Sequence, residues 1–295
     1  MMKLRLYLRN LARIGLASLA VAFLLSGCSS STSPSFTREN FQQAIRDICM
    51  REYGFTVTTK LVDKTLWLYL PVDGIFMQAE KPTKYTERFS VEQTNNTLDG
   101  GVMQLQYLIK AVPEEEKTQQ TKIKKEVMEN NNNLWMVLRR VLFSMDRSQN
   151  SEPDFIATVI ADITNGIKLQ ETFYFLDLKK ISYGYIATEE FQHRIVQDME
   201  LAPALVGDKE GTSIAYRDIT MKEFITQQIA SRVRSKFQKP EVEQTADIDK
   251  EVLKVVKTTL DIYQFRDFNE LELRNLATDS TKSLSRAAVL EKTAD

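Results

Sequence analysis

Apolar residues recur along this chain with two different periods, and the switches between them divide it into elements. Phe41, Ile45, Ile48 and Cys49 fall at helical spacing and stop before Gly54, a residue suited to a helix C-terminus. Thr37 is placed to cap this helix, and Phe36 to staple onto Phe41. From Phe55 the period becomes two: Phe55, Val57, Thr59 and Leu61 alternate with Thr56, Thr58 and Lys60. Asp63-Lys64 reads as a turn, and an apolar run from Thr65 to Leu70 closes at Pro71, which predicts a β-hairpin. Its second arm is apolar on both faces, Leu66, Leu68 and Leu70 against Trp67 and Tyr69, as in a strand covered on both sides.

Residues 89–91 and 103–109 alternate like strands, with Asn95-Asn96 and Gly100-Gly101 between them. Pro113 followed by Glu114, Glu115 and Glu116 predicts a helix start, with proline at the first position and acids in the first turn. Helical spacing runs from Ile123 to Met145, and Asn130 to Asn133 are candidates to split it. Two β-rich runs, 155–163 and 167–175, flank Asn165-Gly166, a strong hairpin signal. Helix plus hairpin thus occurs twice, at 37–70 and 134–175, which raises an αββ quasi-repeat that residue identity does not support. Further helices are expected from Asp177 and over 188–199. Thr220 and Glu223 form a capping box before the stripe Phe224, Ile225, Ile229, Val233 and Phe237, and a second stripe runs from Ile248 to Tyr263. Residues 268–276 fit a helix or a closing strand. The expected fold class is α+β: an antiparallel sheet built from hairpins, covered by helices, with a helical C-terminal portion.

The N-terminus has a different pattern. Lys3, Arg5, Arg9 and Arg13 precede an apolar stretch from Ile14 to Leu25, the layout of a secretory signal and too short for a comfortable membrane span. Then come Leu25-Ser26-Gly27-Cys28 and a serine-rich tether. This stretch resembles the lipobox of bacterial lipoproteins: an aliphatic residue, two small residues, then cysteine. The resemblance covers only this processing signal. It implies a diacylglyceryl thioether on Cys28, cleavage after Gly27 and acylation of the new amino group, with chains of the palmitate class. At about 0.8 kcal/mol per buried CH₂, two or three chains hold a protein on a bilayer. Ser29, where enterobacterial lipoproteins retained at the inner membrane carry aspartate, favours the outer membrane.

The expected organisation is therefore a signal peptide over 1–27, a lipidated tether over 28–35, an α+β domain over 36–238, a C-terminal helical segment over 239–276, and a frayed tail over 277–295.

Composition narrows the chemistry. The 295 residues are 43% hydrophobic and 27% charged, an ordinary globular balance. Taking the four N-terminal cations from the 39 basic residues leaves 35 against 40 acidic ones, a mildly acidic body whose net field does not attract nucleic acid. With Cys28 lipidated, Cys49 has no partner for a disulfide, and it shares an apolar helical stripe. His193 is the only histidine, so a two-histidine metal site is excluded and no cofactor is expected; its helix suggests a surface residue. No P-loop, GxGxxG, HExxH or GxSxG occurs.

These observations favour a non-enzymatic, lipid-anchored envelope protein that presents a binding or assembly surface to an envelope protein partner. Two other readings stay open. Trp67, Tyr69, Phe173 and Phe175 could line an apolar ligand pocket of a carrier or sensor between helices and sheet. Asp162 and Asp177, each at a strand end, could serve a carboxylate-dependent hydrolase.

Overall fold

The computed structural model describes residues 35–145, 152–239 and 241–291. The signal, Cys28 and nearly all of the tether lie outside these residues. Helix α1 (Phe41–Tyr53) leads into the hairpin β1 (Thr58–Val62) and β2 (Thr65–Val72). A long hairpin follows, β3 (Phe76–Asp99) and β4 (Val102–Ile123). Helix α2 (Lys125–Phe143) feeds the hairpin β5 (Phe155–Asp162) and β6 (Ile167–Tyr174). Helices α3 (Phe175–Ser182) and α4 (Thr188–Gln192) precede β7 (Val196–Leu201). Then come α5 (Met221–Gln238), α6 (Ile248–Ile262), β8 (Glu270–Asn275), β9 (Ser280–Ser285) and α7 (Arg286–Leu290).

The class is α+β, and the strands form two sheets, β1-β2-β5-β6-β7 and β3-β4-β8-β9. Each is assembled the same way: two antiparallel hairpins joined through a parallel inner pair. That pair is β2 with β5, Tyr69 opposite Val159, in the first sheet. In the second it is β4 with β8, Leu105 opposite Leu273. The alternation on β2 has the expected consequence. Leu66, Leu68 and Leu70 pack with the stripes of α1 and α2, including Phe41, Ile45, Leu134 and Leu138. Trp67 and Tyr69 point the other way, into a core with Leu205, Ile219 and Phe224. The second sheet buries Met103, Leu105, Ile109, Leu271 and Leu273 beneath Ile229 and Val233 of α5 and Val256 and Leu260 of α6. The modules are interleaved in sequence, since β3–β4 leaves the first sheet to found the second.

The boundary expected between an α+β domain ending at 238 and a C-terminal helical segment over 239–276 falls between α5 and α6, whose stripes share one core, and the segment expected as helical ends in strand β8. The stretch expected to fray from residue 277 forms β9 and α7 as far as Leu290, because β9 pairs with β8 and Val289 is buried.

Residues 113–123, expected to open a helix, belong to β4. The glutamates face cations across the hairpin, Glu116 with Lys84 at 2.6 Å and Glu114 with Arg88 at 3.3 Å. Pro113 sits where the register slips between Glu87 and Phe89, so its missing N–H costs no ladder bond. Asn130 to Asn133 do not split α2; Val127 and Leu134 flank them in the core, and this burial outweighs asparagine's weak propensity. Residues 196–199, expected as helix, lie in β7, which completes the edge of β6.

Helix–hairpin order does recur, as α1-β1-β2 and α2-β5-β6. The two units enter the sheet in opposite senses, because β1 lies at the edge and β5 at the centre, antiparallel to it.

Candidate functional site

Where the two modules meet, a cleft of about 620 Å³ opens between the segment after α4, the start of β7, the second half of α5 and α6. Its size lies within the range of small-molecule sites, roughly 300–1,000 Å³. Five arginines and lysines line it against two glutamates, on a body whose net charge is slightly negative. Lys236 pairs with Glu251 at 3.4 Å and Arg232 with Glu190 at 3.3 Å. Arg234 and Lys254 are exposed and form no ion pair among the described residues. Lys239 Nζ lies 3.2 Å from His193 Nε2. A second hollow of about 200 Å³ adjoins the first, sharing Gln197, Ser231 and Arg234.

A buried ionic network fixes the wall of this cleft. Arg194 is 7% exposed; its guanidinium donates to Asp177 Oδ1 at 2.7 Å and to Glu190 Oε1 at 2.8 Å. Burial alone would lower the Arg194 pKa, but Glu190 and Asp177 outweigh it and hold the guanidinium charged. Glu190 also accepts from Arg232 on α5, which ties the α3–α4 segment to the seam. Gln228, fully buried on α5, donates to the His193 carbonyl at 2.6 Å. Burial first, then the Asp177 carboxylate, push the Tyr263 phenol well up. His193 itself is exposed at the cleft, as its sequence neighbourhood suggested.

The aromatic candidates are not brought together. Trp67 and Tyr69 face one side of the first sheet, Phe173 and Phe175 the other. Each is engaged. Trp67 Nε1 donates to the Arg217 carbonyl at 2.7 Å, and the Tyr69 hydroxyl donates to the Asp208 carbonyl. Phe173 stacks on Trp135 at a centroid distance of 4.3 Å, and Phe175 is 3% exposed beneath Phe143. The carboxylate candidates are separately occupied too. Asp162 accepts from the Asn165 side-chain amide and from the backbone of Ile75, Thr164 and Asn165; burial opposes its ionisation, and these bonds, the Asn165 side chain first, overcome it and lower the pKa. Asp177 is held by Arg194. Burial pushes the Cys49 thiol up to about 12, leaving it a poor nucleophile.

Sequence reading missed the cleft. Its cations lie on α5, after α5 and on α6, and their spacing carries no motif; only the cluster Arg232, Arg234, Lys236 hinted at a basic face. Among the described residues no three His, Cys, Asp or Glu side chains group to hold a metal ion, and no helix is long and apolar enough to cross a membrane. Comparison with family models, curated proteins and solved structures gives no match.

Proposed function

We propose that this chain is anchored through a lipidated Cys28 in a bacterial envelope membrane, the outer one favoured by Ser29, and that its body binds rather than catalyses. One observation carries the reading: a basic flank, a short apolar core, Leu25-Ser26-Gly27-Cys28 and a serine tether stand in register. Of the side chains suited to catalysis by type, Cys49, Asp162 and Asp177 are buried and committed to structure, and His193 lies exposed in the seam cleft beside Lys239, with no carboxylate partner among the described residues. The tether is short, so the body lies close to the bilayer, within reach of an envelope partner.

Intact mass of the native product tests the anchor. The expected mass begins at Cys28 and carries two or three acyl chains, and a clickable fatty acid labels the wild type but not Cys28→Ser. A product that retains Met1 and takes no label would remove the anchor, and with it this function.

A further inference from the structure

We propose that the seam cleft binds a phosphate-bearing small molecule, with Arg234, Lys239 and Lys254 as its ligand-contacting cations. This deepens the reading of the body as a binding module and rests on it. The three cations arrive from separate segments, α5, the chain just after it, and α6, and they line one cavity. Among the described residues, two of them have no ion pair and the third meets a histidine ring. Like charges gathered in one concavity repel one another and raise the local affinity for anions. The other cations of the cleft and its wall are neutralised: Lys236 by Glu251, Arg232 and Arg194 by Glu190. The charge left unpaired in the cleft is therefore these three cations against one carboxylate, Glu241.

The donor set selects the anion. Arg234 offers a planar fork, Lys239 and Lys254 three-donor ammonium groups, and Ser231, Ser235 and Thr258 add hydroxyls. Donors approaching from several walls suit a tetrahedral group with three or four acceptor oxygens better than a planar carboxylate with two. Lys239 is also available. An ammonium has no lone pair, so its contact with His193 Nε2 uses the imidazole acceptor, a weaker partner than a phosphate oxygen. The network of Asp177, Arg194, Glu190 and Arg232 holds the wall in place before any ligand arrives, which limits the ordering cost of binding.

The test is titration calorimetry on the full lipidated protein in neutral detergent, with inorganic pyrophosphate and water-soluble short-chain phosphatidic acid as probes. Arg234→Gln and Lys254→Gln are expected to weaken binding about tenfold each, in line with loss of a charged hydrogen bond. Lys282→Gln, on β9 away from the cleft, is expected to leave it unchanged. Because Arg234 and Lys254 are exposed, unchanged melting of the variants separates lost binding from lost folding. Binding of both probes assigns the site to the phosphate group itself, and binding of the lipid alone assigns it to a headgroup; both support the proposal. No binding of either, equal affinity in the variants, or binding of polyglutamate where pyrophosphate fails, overturns it. Failure here with acylated Cys28 leaves the anchor standing, whereas phosphate binding by an unacylated protein sinks the anchor alone.

Discussion

Single residues in this protein are most constrained where a loop must hold its shape without secondary structure. Asp208 organises the segment between β7 and α5. Its carboxylate accepts from the backbone N–H groups of Glu210, Gly211, Thr212 and Ser213, at 2.8–3.2 Å. Gly211 has a φ of +76°, and a Cβ there would come within 2.7 Å of Tyr69 Cγ, so the loop can close over Tyr69 only with glycine. Desolvation opposes the charge on Asp208, but the N–H groups dominate and lower its pKa from 3.8 to about 2. A lowered folded value means a stabilisation present above pH 3.8 and lost as the pH falls through about 2. The group is largely solvated, so screening cuts its worth to about 1 kcal/mol. Asp208→Asn is therefore expected to melt below the wild type at pH 7, the gap narrowing from pH 4 downward and closing near pH 2, as followed by circular dichroism. A gap independent of pH would mean that shape, not charge, holds the loop. The sequence shows only two glycines, Gly207 and Gly211, around Asp208; that this aspartate collects four N–H groups depends on backbone angles a sequence does not display.

At the level of elements, local signals succeeded at some ends and not at others. Gly54 ends α1 in the left-handed conformation, at φ 76°, and Thr220 accepts from the Glu223 N–H at 3.3 Å as an N-cap does. Thr37, expected to cap α1, lies three residues before the cap position Asn40, and its N–H donates to Asn40 Oδ1 instead. Local signals failed where distant partners decide. The run Pro113 to Glu116 carries every mark of a helix start, yet it pairs as strand with β3, Glu116 opposite Thr86 and Glu115 opposite Glu87, a partner about thirty residues away. The same logic explains α2, whose asparagines are carried by the burial of their neighbours. If propensity there is a cost outweighed by packing, removing it should stabilise. Asn132 is exposed in the helix interior, so Asn132→Ala is expected to raise stability by about 0.5 kcal/mol, read from the urea midpoint at constant slope. A lower midpoint would show that the asparagine makes an interaction worth keeping.

The molecule as a whole depends on a seam that contiguous reading could not reveal. Stripes and alternation identified nearly every apolar face, but not which sheet each face would cover, because β3–β4 and β8–β9 join across more than a hundred residues. The basic cleft was illegible for the same reason: His193 and Lys254 become neighbours only once the modules close. Interleaving has an energetic consequence. The two halves of the second module are connected through the first, so losing the first would leave a loose loop whose closure costs about 4 kcal/mol. Phe224 couples them. It packs on Phe155 of the first module, 5.2 Å between centroids, and on Tyr263 at 5.3 Å, while Ile225 beside it enters the core of the second. Phe224→Ala is expected to cost about 3–5 kcal/mol. The loss should appear equally in both modules: in Trp67 and Trp135 fluorescence, which reports the first, and in amide exchange at Leu105 and Leu273, which reports the second. Coincident urea transitions in the wild type, shifted together in the variant, are the expected result. Exchange at Leu105 that holds its midpoint while the fluorescence transition moves would mean that the second sheet stands without the first, and the seam would then be a contact between independent units rather than the joint on which the fold closes.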